Sequence, residues 1–319
     1  MSILFVPKSF QTNSLTSSCA TSVVTGQKWG KCQRSISLLN ALCSANENLD
    51  VIEVSYSDNL RGIITSAGEE VFINSNNANE IFGDCPLVNL TAVDVGEIWI
   101  LLRLVSTGVL RGLEFYYCSP SNYLGAGVGR KSIRTPLTNS SGNWNSLPGL
   151  TTEWNNNDLQ FKLFSILGFD LHRLGSIDSY EGFPDSQEKT LILADPPTSP
   201  FWVERSLREN HELIKLVLQK DSRSEPILRI SAICPSTVFS NFTHMYRSLD
   251  ERWCFLPLGP RIQTLGTLIF ASNQLDHDTE LEREPRIGIL YDFPEPKPDS
   301  TVMLSQPENI WQFKIQRLL

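Results

Sequence analysis

The sequence predicts an α/β protein built as two lobes. Three observations carry that expectation. Strand-like and helix-like segments alternate on both sides of the chain's middle, the pattern of layered α/β architecture. A stretch rich in Gly, Ser, Asn, Pro and Thr runs through 119–158 and punctuates the chain there. A length of 319 residues suits one large or two medium domains. The expected boundaries are 1–125 for a first lobe, 126–158 for a linker or loop region, and 159–319 for a second lobe ending in a C-terminal strand.

In the first half, Ser14–Cys19 is a candidate strand, and Lys28–Ala45 has helical period with Ile36, Leu39 and Cys43 aligned. Asp50–Tyr56 alternates like a strand. Arg61–Ile73 reads as a hairpin turning at Ala67-Gly68. Leu87–Leu90 is a strand that leads through Thr91–Asp94 into an apolar helix, Val95–Ser106, and Gly112–Cys118 is the next strand. The spacing predicts a lobe related to the second but less complete.

The second half is more regular. Leu159–Leu167 reads as a buried strand, followed by Gly168-Phe169-Asp170 and a short helical piece. Thr190–Ala194 is a second strand ending in Asp195-Pro196. Ser199 and Pro200 then supply a cap and a first-turn proline for a helix carrying Val203, Leu207 and Ile214. Ile227–Ile233 is a third strand, closed by Cys234-Pro235, with Ser236 as the expected cap of a helix bearing Phe239, Phe242 and Tyr246. Trp253–Leu256 is the fourth strand, then Pro257-Leu-Gly-Pro-Arg261 and a helix with Ile262, Leu265, Leu268 and Ile269. Arg286–Tyr291 is the fifth. Apolar strands joined by helical crossovers imply a doubly wound, Rossmann-like, mostly parallel five-stranded sheet covered on both faces. Ile310–Ile315 alternates too and is expected to return and cover an edge.

Composition bounds the function. Hydrophobic residues at 41% and charged residues at 19% exclude a disordered chain. A net charge of −8 argues against binding long nucleic acid through a basic face, while leaving room for a local basic pocket. No two of the seven cysteines lie closer than eleven residues, which excludes zinc and thioredoxin spacings. The expectation is therefore reduced, buried thiols in a cytoplasmic protein with no metal and no cofactor. Ile3–Val6 is too short for a signal-peptide core, and Ile98–Val105, interrupted by Arg103, is too short to span a bilayer.

In an open parallel sheet, ligands sit outside the carboxyl ends of the strands, where strand order reverses. With order 3-2-1-4-5 the loops at Gly168-Phe169-Asp170 and Leu258–Arg261 flank that crevice, with Asp195 and Ser236 on the adjoining strand ends. Gly259 would permit close backbone approach, and Arg261 adds a bidentate cation at a helix start, where a cation is otherwise unfavourable by ~0.3–1 kcal/mol. Asp170 and Asp195 are the candidates for acid–base work or for gripping ribose hydroxyls. Asp276-His277-Asp278 reads as a solvated acidic loop, Gly125–Arg130 as loop or linker, and Cys234 as a buried thiol with no histidine to activate it.

The succession strand, Pro-Leu-Gly-Pro-Arg, apolar helix, short strand resembles the strand–Gly-Gly-Thr-Lys–helix signature of CRISPR-associated Rossmann-fold (CARF) sensor domains. In those domains the loop and its lysine hold a cyclic oligonucleotide. Arg261 falls where that lysine would lie and Gly259 near the paired glycines; the threonine is missing. Asn89-Leu90-Thr91 resembles the other half of such a motif, with Ala92-Val93-Asp94 in place of the glycines and the cation. Two such lobes in one chain are similar to the SAVED arrangement of bacterial anti-phage signalling.

The resemblance implies a non-catalytic sensor. A phosphate-bearing nucleotide would be held by Gly168, Phe169, Asp170, Asp195, Ser236, Gly259 and Arg261, with Asn89 and Thr91 in the first lobe, and the signal would pass to a separate effector subunit. The alternatives are a nucleotide hydrolase or phosphodiesterase working in the same crevice, and a structural subunit of a defence complex with a vestigial site.

Overall fold

The computed structural model describes residues 3–10, 20–30, 32–46, 48–57, 61–119, 138–139, 144–150, 160–168, 173, 188–198, 202–212, 214–215, 227–246, 251–296 and 310–317. The chain divides into two units, Met1–Gly127 with Pro298–Leu319, and Val128–Lys297. Each is an α/β unit around one mixed sheet.

The first unit's sheet contains Ile3–Phe10 (β1), Ser22–Gly26 (β2), Asp50–Tyr56 (β3), Gly62–Thr65 (β4), Glu70–Phe72 (β5), Leu87–Asn89 (β6) and Gly112–Cys118 (β7), and is completed by Ile310–Arg317 (β16). Its order is β1-β16-β7-β6-β2-β3-β4-β5. The central four strands run parallel, and β16, β4 and β5 pair antiparallel at the flanks. Parallel neighbours need crossovers. Gln33–Ala45 (α1) carries the chain from β2 to β3, and Val95–Ser106 (α3) from β6 to β7; the short Ala78–Phe82 (α2) precedes β6. α1 buries Ser35, Leu38 and Leu42, a one-sided stripe at helical spacing. α3 is buried on all sides.

The start of α3 is closed by its own carboxylates. Asp94 Oδ1 accepts from the Val95 amide at 2.9 Å, and Glu97 Oε2 accepts from the Asp94 amide at 2.8 Å, a reciprocal capping box.

The second unit's sheet contains Asn145–Ser146 (β9), Gln160–Ile166 (β10), Glu188–Ala194 (β11), Ile227–Ile230 (β12), Glu251–Pro257 (β13) and Ile287–Tyr291 (β14), in the order β12-β11-β10-β13-β14-β9. The first five strands pair in parallel with order 3-2-1-4-5, and β9 is antiparallel at the edge. Thr138–Asn139 (β8) and Glu295–Pro296 (β15) form a separate two-stranded ladder. Its helices include Trp202–Glu209 (α4), Pro235–Met245 (α5) and Arg261–Glu280 (α6).

Alternation along β13 assigns the two faces. Trp253 and Phe255 join Phe164 of β10 in an aromatic layer with Phe242 of α5 and Phe270 of α6, ring centroids 4.8 Å apart for Phe242–Phe255 and 5.6 Å for Phe242–Phe270. Cys254 and Leu256 face the opposite layer, with Leu163, Leu191, Leu193 and Ile214, against Val203 and Leu207 of α4. Both faces of the sheet are therefore covered. At Gly266 a β-carbon would stand 2.6 Å from the Pro235 carbonyl oxygen, so α5 and α6 start in close contact.

Several expectations change. The second sheet has six strands, because β9 from the expected linker adds an antiparallel edge. The C-terminal strand belongs to the first unit: β16 pairs with β7 and β1, hydrogen-bonding on both sides instead of covering an edge. β2, which no reading of the sequence picked out, is the first unit's central strand, while all of Ser14–Cys19 and all of Gly125–Arg130 lie outside the described residues. α1 begins five residues later than expected, after a turn over 27–30. Asp276-His277-Asp278 is not a loop but the last turn of α6, where Asp278 is buried and paired with Arg286 at 2.6 Å. Among the described residues, no helix is long and apolar enough to cross a membrane.

Candidate functional site

In the second unit, connections leave β10 toward β11 and β13 toward β14, so the strand order reverses between the carboxyl ends of β10 and β13. Gly168 and Gly259 meet there. A β-carbon on Gly168 would lie 2.1 Å from the Leu258 carbonyl oxygen. One on Gly259 would lie 2.4 Å from Ile166 Cγ2 and 3.0 Å from the Leu167 carbonyl oxygen. Both glycines thus serve the packing of one strand end on the other. This corrects the expectation for Gly259: the space beside its α-carbon is filled by β10. The Gly168 carbonyl accepts from Asn210 Nδ2 at 2.9 Å, which ties the end of β10 to the residue following α4.

Asp195 ends β11 and its carboxylate turns sideways, accepting from Arg229 Nη1 on β12 at 2.9 Å. Its amide donates to the Ile230 carbonyl at 3.0 Å. An aspartate engaged in this way ties two strand ends together. Phe169 and Asp170 lie outside the described residues. Ser236 does not cap α5. The helix starts two residues earlier, with Cys234 at the N-cap and Pro235 in the first turn, and the Ser236 hydroxyl meets the half-buried Cys234 sulfur at 2.8 Å.

α6 begins at Arg261. Pro260 at its N-cap has no side chain that could accept from the first amides, and the first turn holds no acidic residue. α5 likewise has no side-chain cap and no first-turn acid. The contrast with α3 is physical: α3 carries its own carboxylates at its positive end, whereas α5 and α6 present theirs with none. Gln263, the third residue of α6, is fully buried. Its Nε2 donates to the Ile230 carbonyl at 2.6 Å, and its Oε1 has no hydrogen-bond partner. A buried carbonyl oxygen left without a donor costs about 1–3 kcal/mol, so a donor from outside the chain would be stabilising at that point.

Sequence reasoning also missed Arg173 and Asp292. Asp292 directly follows β14 and is completely buried; Arg173 Nε donates to its two carboxylate oxygens at 3.0 and 3.1 Å, and Nη2 joins Oδ1. The guanidinium carbon stands 5.1 Å from the Tyr291 ring centroid. The pair pins the segment following β10 to the end of β14. The polar Gln263 in an apolar helix start and the aspartate closing an apolar strand were the available signals.

In the first unit, Asn89 and Thr91 hold the ends of neighbouring strands. Asn89 Nδ2 donates to Ser35 Oγ at 2.9 Å, and lies 3.3 Å from the Ser35 carbonyl and 3.4 Å from Thr25 Oγ1. Thr91 Oγ1 accepts from the Cys118 amide at 2.9 Å, and Arg34 Nη1 donates to the Cys118 carbonyl at 3.1 Å. Thr91 therefore contacts β7 where a ligand was expected. Asp94, which stands in place of the motif's cation, caps α3.

Burial pushes the Cys118 thiol up to about 11, with nearby Arg34 opposing the shift and Cys32 adding to it. A thiol whose value is raised by folding stabilises the fold fully below its unfolded value near 9, and that contribution disappears as pH rises toward 11. Replacing Cys118 by Ala should therefore flatten the alkaline limb of the stability curve between those values. Urea midpoints taken across that range check it, and an unchanged limb would contradict it.

No protein-family model, no curated protein and no solved structure matches this chain. Among the described residues, no group of three or more His, Cys, Asp or Glu side chains is placed to hold a metal ion.

Proposed function

We propose that the protein is a binding protein that holds a phosphate-bearing nucleotide, of the cyclic-oligonucleotide class, at the carboxyl edge of the second unit's sheet. The parallel order 3-2-1-4-5 supports the Rossmann-like reading of that unit. One observation carries the proposal: α6 starts with neither a side-chain cap nor a first-turn acid, with Arg261 at its first position and the unpartnered Gln263 oxygen two residues on.

Helix amides and a guanidinium provide donors for phosphate oxygens. The Gln263 oxygen accepts from a hydroxyl or amino group of the same ligand. Gly168 and Gly259 act indirectly in this reading, by setting where α6 begins, and Asp195 is held by Arg229 beside the site. The output passes to a separate effector subunit in a phage-defence setting, in line with the resemblance to CARF and SAVED proteins.

The test is a thermal-shift screen of the full chain against mono-, di- and cyclic oligonucleotides. A cognate ligand at a hundred times its Kd should raise the Tm by about 5–10 °C. The ligand should be recovered intact, and Arg261→Ala should remove most of the shift. Linear products would move the assignment to a hydrolase. A folded protein that no nucleotide stabilises would make the site vestigial.

A further inference from the structure

The first unit has a strand-order reversal of its own. From β2 the chain runs through α1 to β3 on one side, while β6 pairs with β2 on the other. The carboxyl ends of β2 and β6 therefore lie side by side at that reversal, with the start of α1 directly beyond β2.

Three features meet at that place. α1 has thirteen residues, with Cys32 at its N-cap, no side-chain cap and no acid in its first turn of Gln33, Arg34 and Ser35. The other crossover helix of the sheet, α3, fills its own positive end with Asp94 and Glu97. Second, Asn89 at the end of β6 is 0% exposed, and its carboxamide reaches the first turn of α1, where its Nδ2 donates to Ser35. Its Oδ1 has no hydrogen-bond partner. Third, the turn over 27–30 brings Lys28 to the same strand end, closed by a Gly30 amide to Gly26 carbonyl hydrogen bond of 2.8 Å.

The chemistry is two-sided. Uncapped amides suit the oxygens of a phosphate, and Lys28 and Arg34, the latter donating to the Cys118 carbonyl, make the surroundings basic. The Asn89 oxygen is an acceptor and suits a hydroxyl, which a bare phosphate dianion does not offer. A phosphate monoester with a hydroxyl a few bonds away satisfies both. We infer that the first unit carries a separate site for a phosphorylated sugar, its phosphate on the first turn of α1 and a sugar hydroxyl donating to Asn89 Oδ1. This inference does not rest on the nucleotide reading of the second unit.

The probe is ribose 5-phosphate, titrated calorimetrically into the full chain. Gln33 is exposed, and Gln33→Glu places a carboxylate where a helix start favours it, so this variant folds at least as well as the parent. Ribose 5-phosphate affinity should fall at least tenfold in Gln33→Glu and stay unchanged in Arg261→Ala. Inorganic phosphate should bind at least tenfold more weakly than ribose 5-phosphate. Absence of binding to the parent, equal affinity in Gln33→Glu, equal affinity for inorganic phosphate, or loss in Arg261→Ala would each overturn the inference. Because the Arg261 site is tested with nucleotides, the two readings fail separately.

Discussion

Replacing Arg173 by alanine should lower the unfolding free energy by about 3–5 kcal/mol, because it leaves the fully buried Asp292 carboxylate without its counter-ion. The side chains are 6% and 0% exposed, so water cannot take over the role of the guanidinium. The loss should also reach the site. Arg173 ties the chain beyond β10 to the end of β14, and β13, which leads into α6, lies between those strands. Exchanging both partners together, Arg173→Met with Asp292→Leu, should restore most of the stability, since neither charge then remains buried. Urea denaturation of the full chain reads all three proteins. A loss below about 1 kcal/mol for Arg173→Ala would mean that the pair is solvated, as surface ion pairs are.

The second large effect is expected at Gly168. Its backbone does not adopt a positive φ, so the cost of Gly168→Ala is purely steric. The new methyl would stand 2.1 Å from the Leu258 carbonyl oxygen, a backbone atom that no rotamer change can move aside. Overpacking costs typically 1–3 kcal/mol, and the top of that range, about 3 kcal/mol, applies where the obstacle is backbone. Gly68 is the control. There φ is +85° with nothing within 4 Å of the added carbon, so Gly68→Ala should cost only the conformational penalty of about 1–2 kcal/mol. If the two variants lose equal stability, close packing of the β10 and β13 ends is not what Gly168 provides. Displacing Leu258 also displaces the start of α6, so nucleotide affinity should fall with stability in Gly168→Ala and not in Gly68→Ala.

Elements with strong local signals were legible from the sequence. Asp50–Tyr56, Val95–Ser106 and Gly112–Cys118 have the same bounds in the structure, and the hairpin turns at Gly68, which takes the positive φ that such a turn demands. The parallel pairing of β10 to β14 was also expected from apolar strands alternating with helices, whereas their order was only assumed. Features set by distant partners were not legible. β16 alternates as any half-buried strand does, and nothing local reveals that its partner is β7, some two hundred residues earlier. β2 is short, and its central place depends on β3 and β6.

At the site, Gly259 signalled a close approach, but the sequence could not say that the approaching atom belongs to Ile166 and not to a ligand. Asp195 looked available because Arg229 lies 34 residues away along the chain. Gln263 and Asn89 acquire meaning only when burial shows one oxygen of each amide without a donor.

The most direct test of the central claim is the dissociation constant of the best-bound nucleotide, measured by calorimetry on the parent chain and on Arg261→Glu. A charge-assisted hydrogen bond contributes about 1.5–3 kcal/mol, so reversing this charge at the start of α6 should weaken binding by about ten- to a hundredfold or more. Affinity that is indifferent to the reversal, in a protein that remains folded, would mean that no anion is held there.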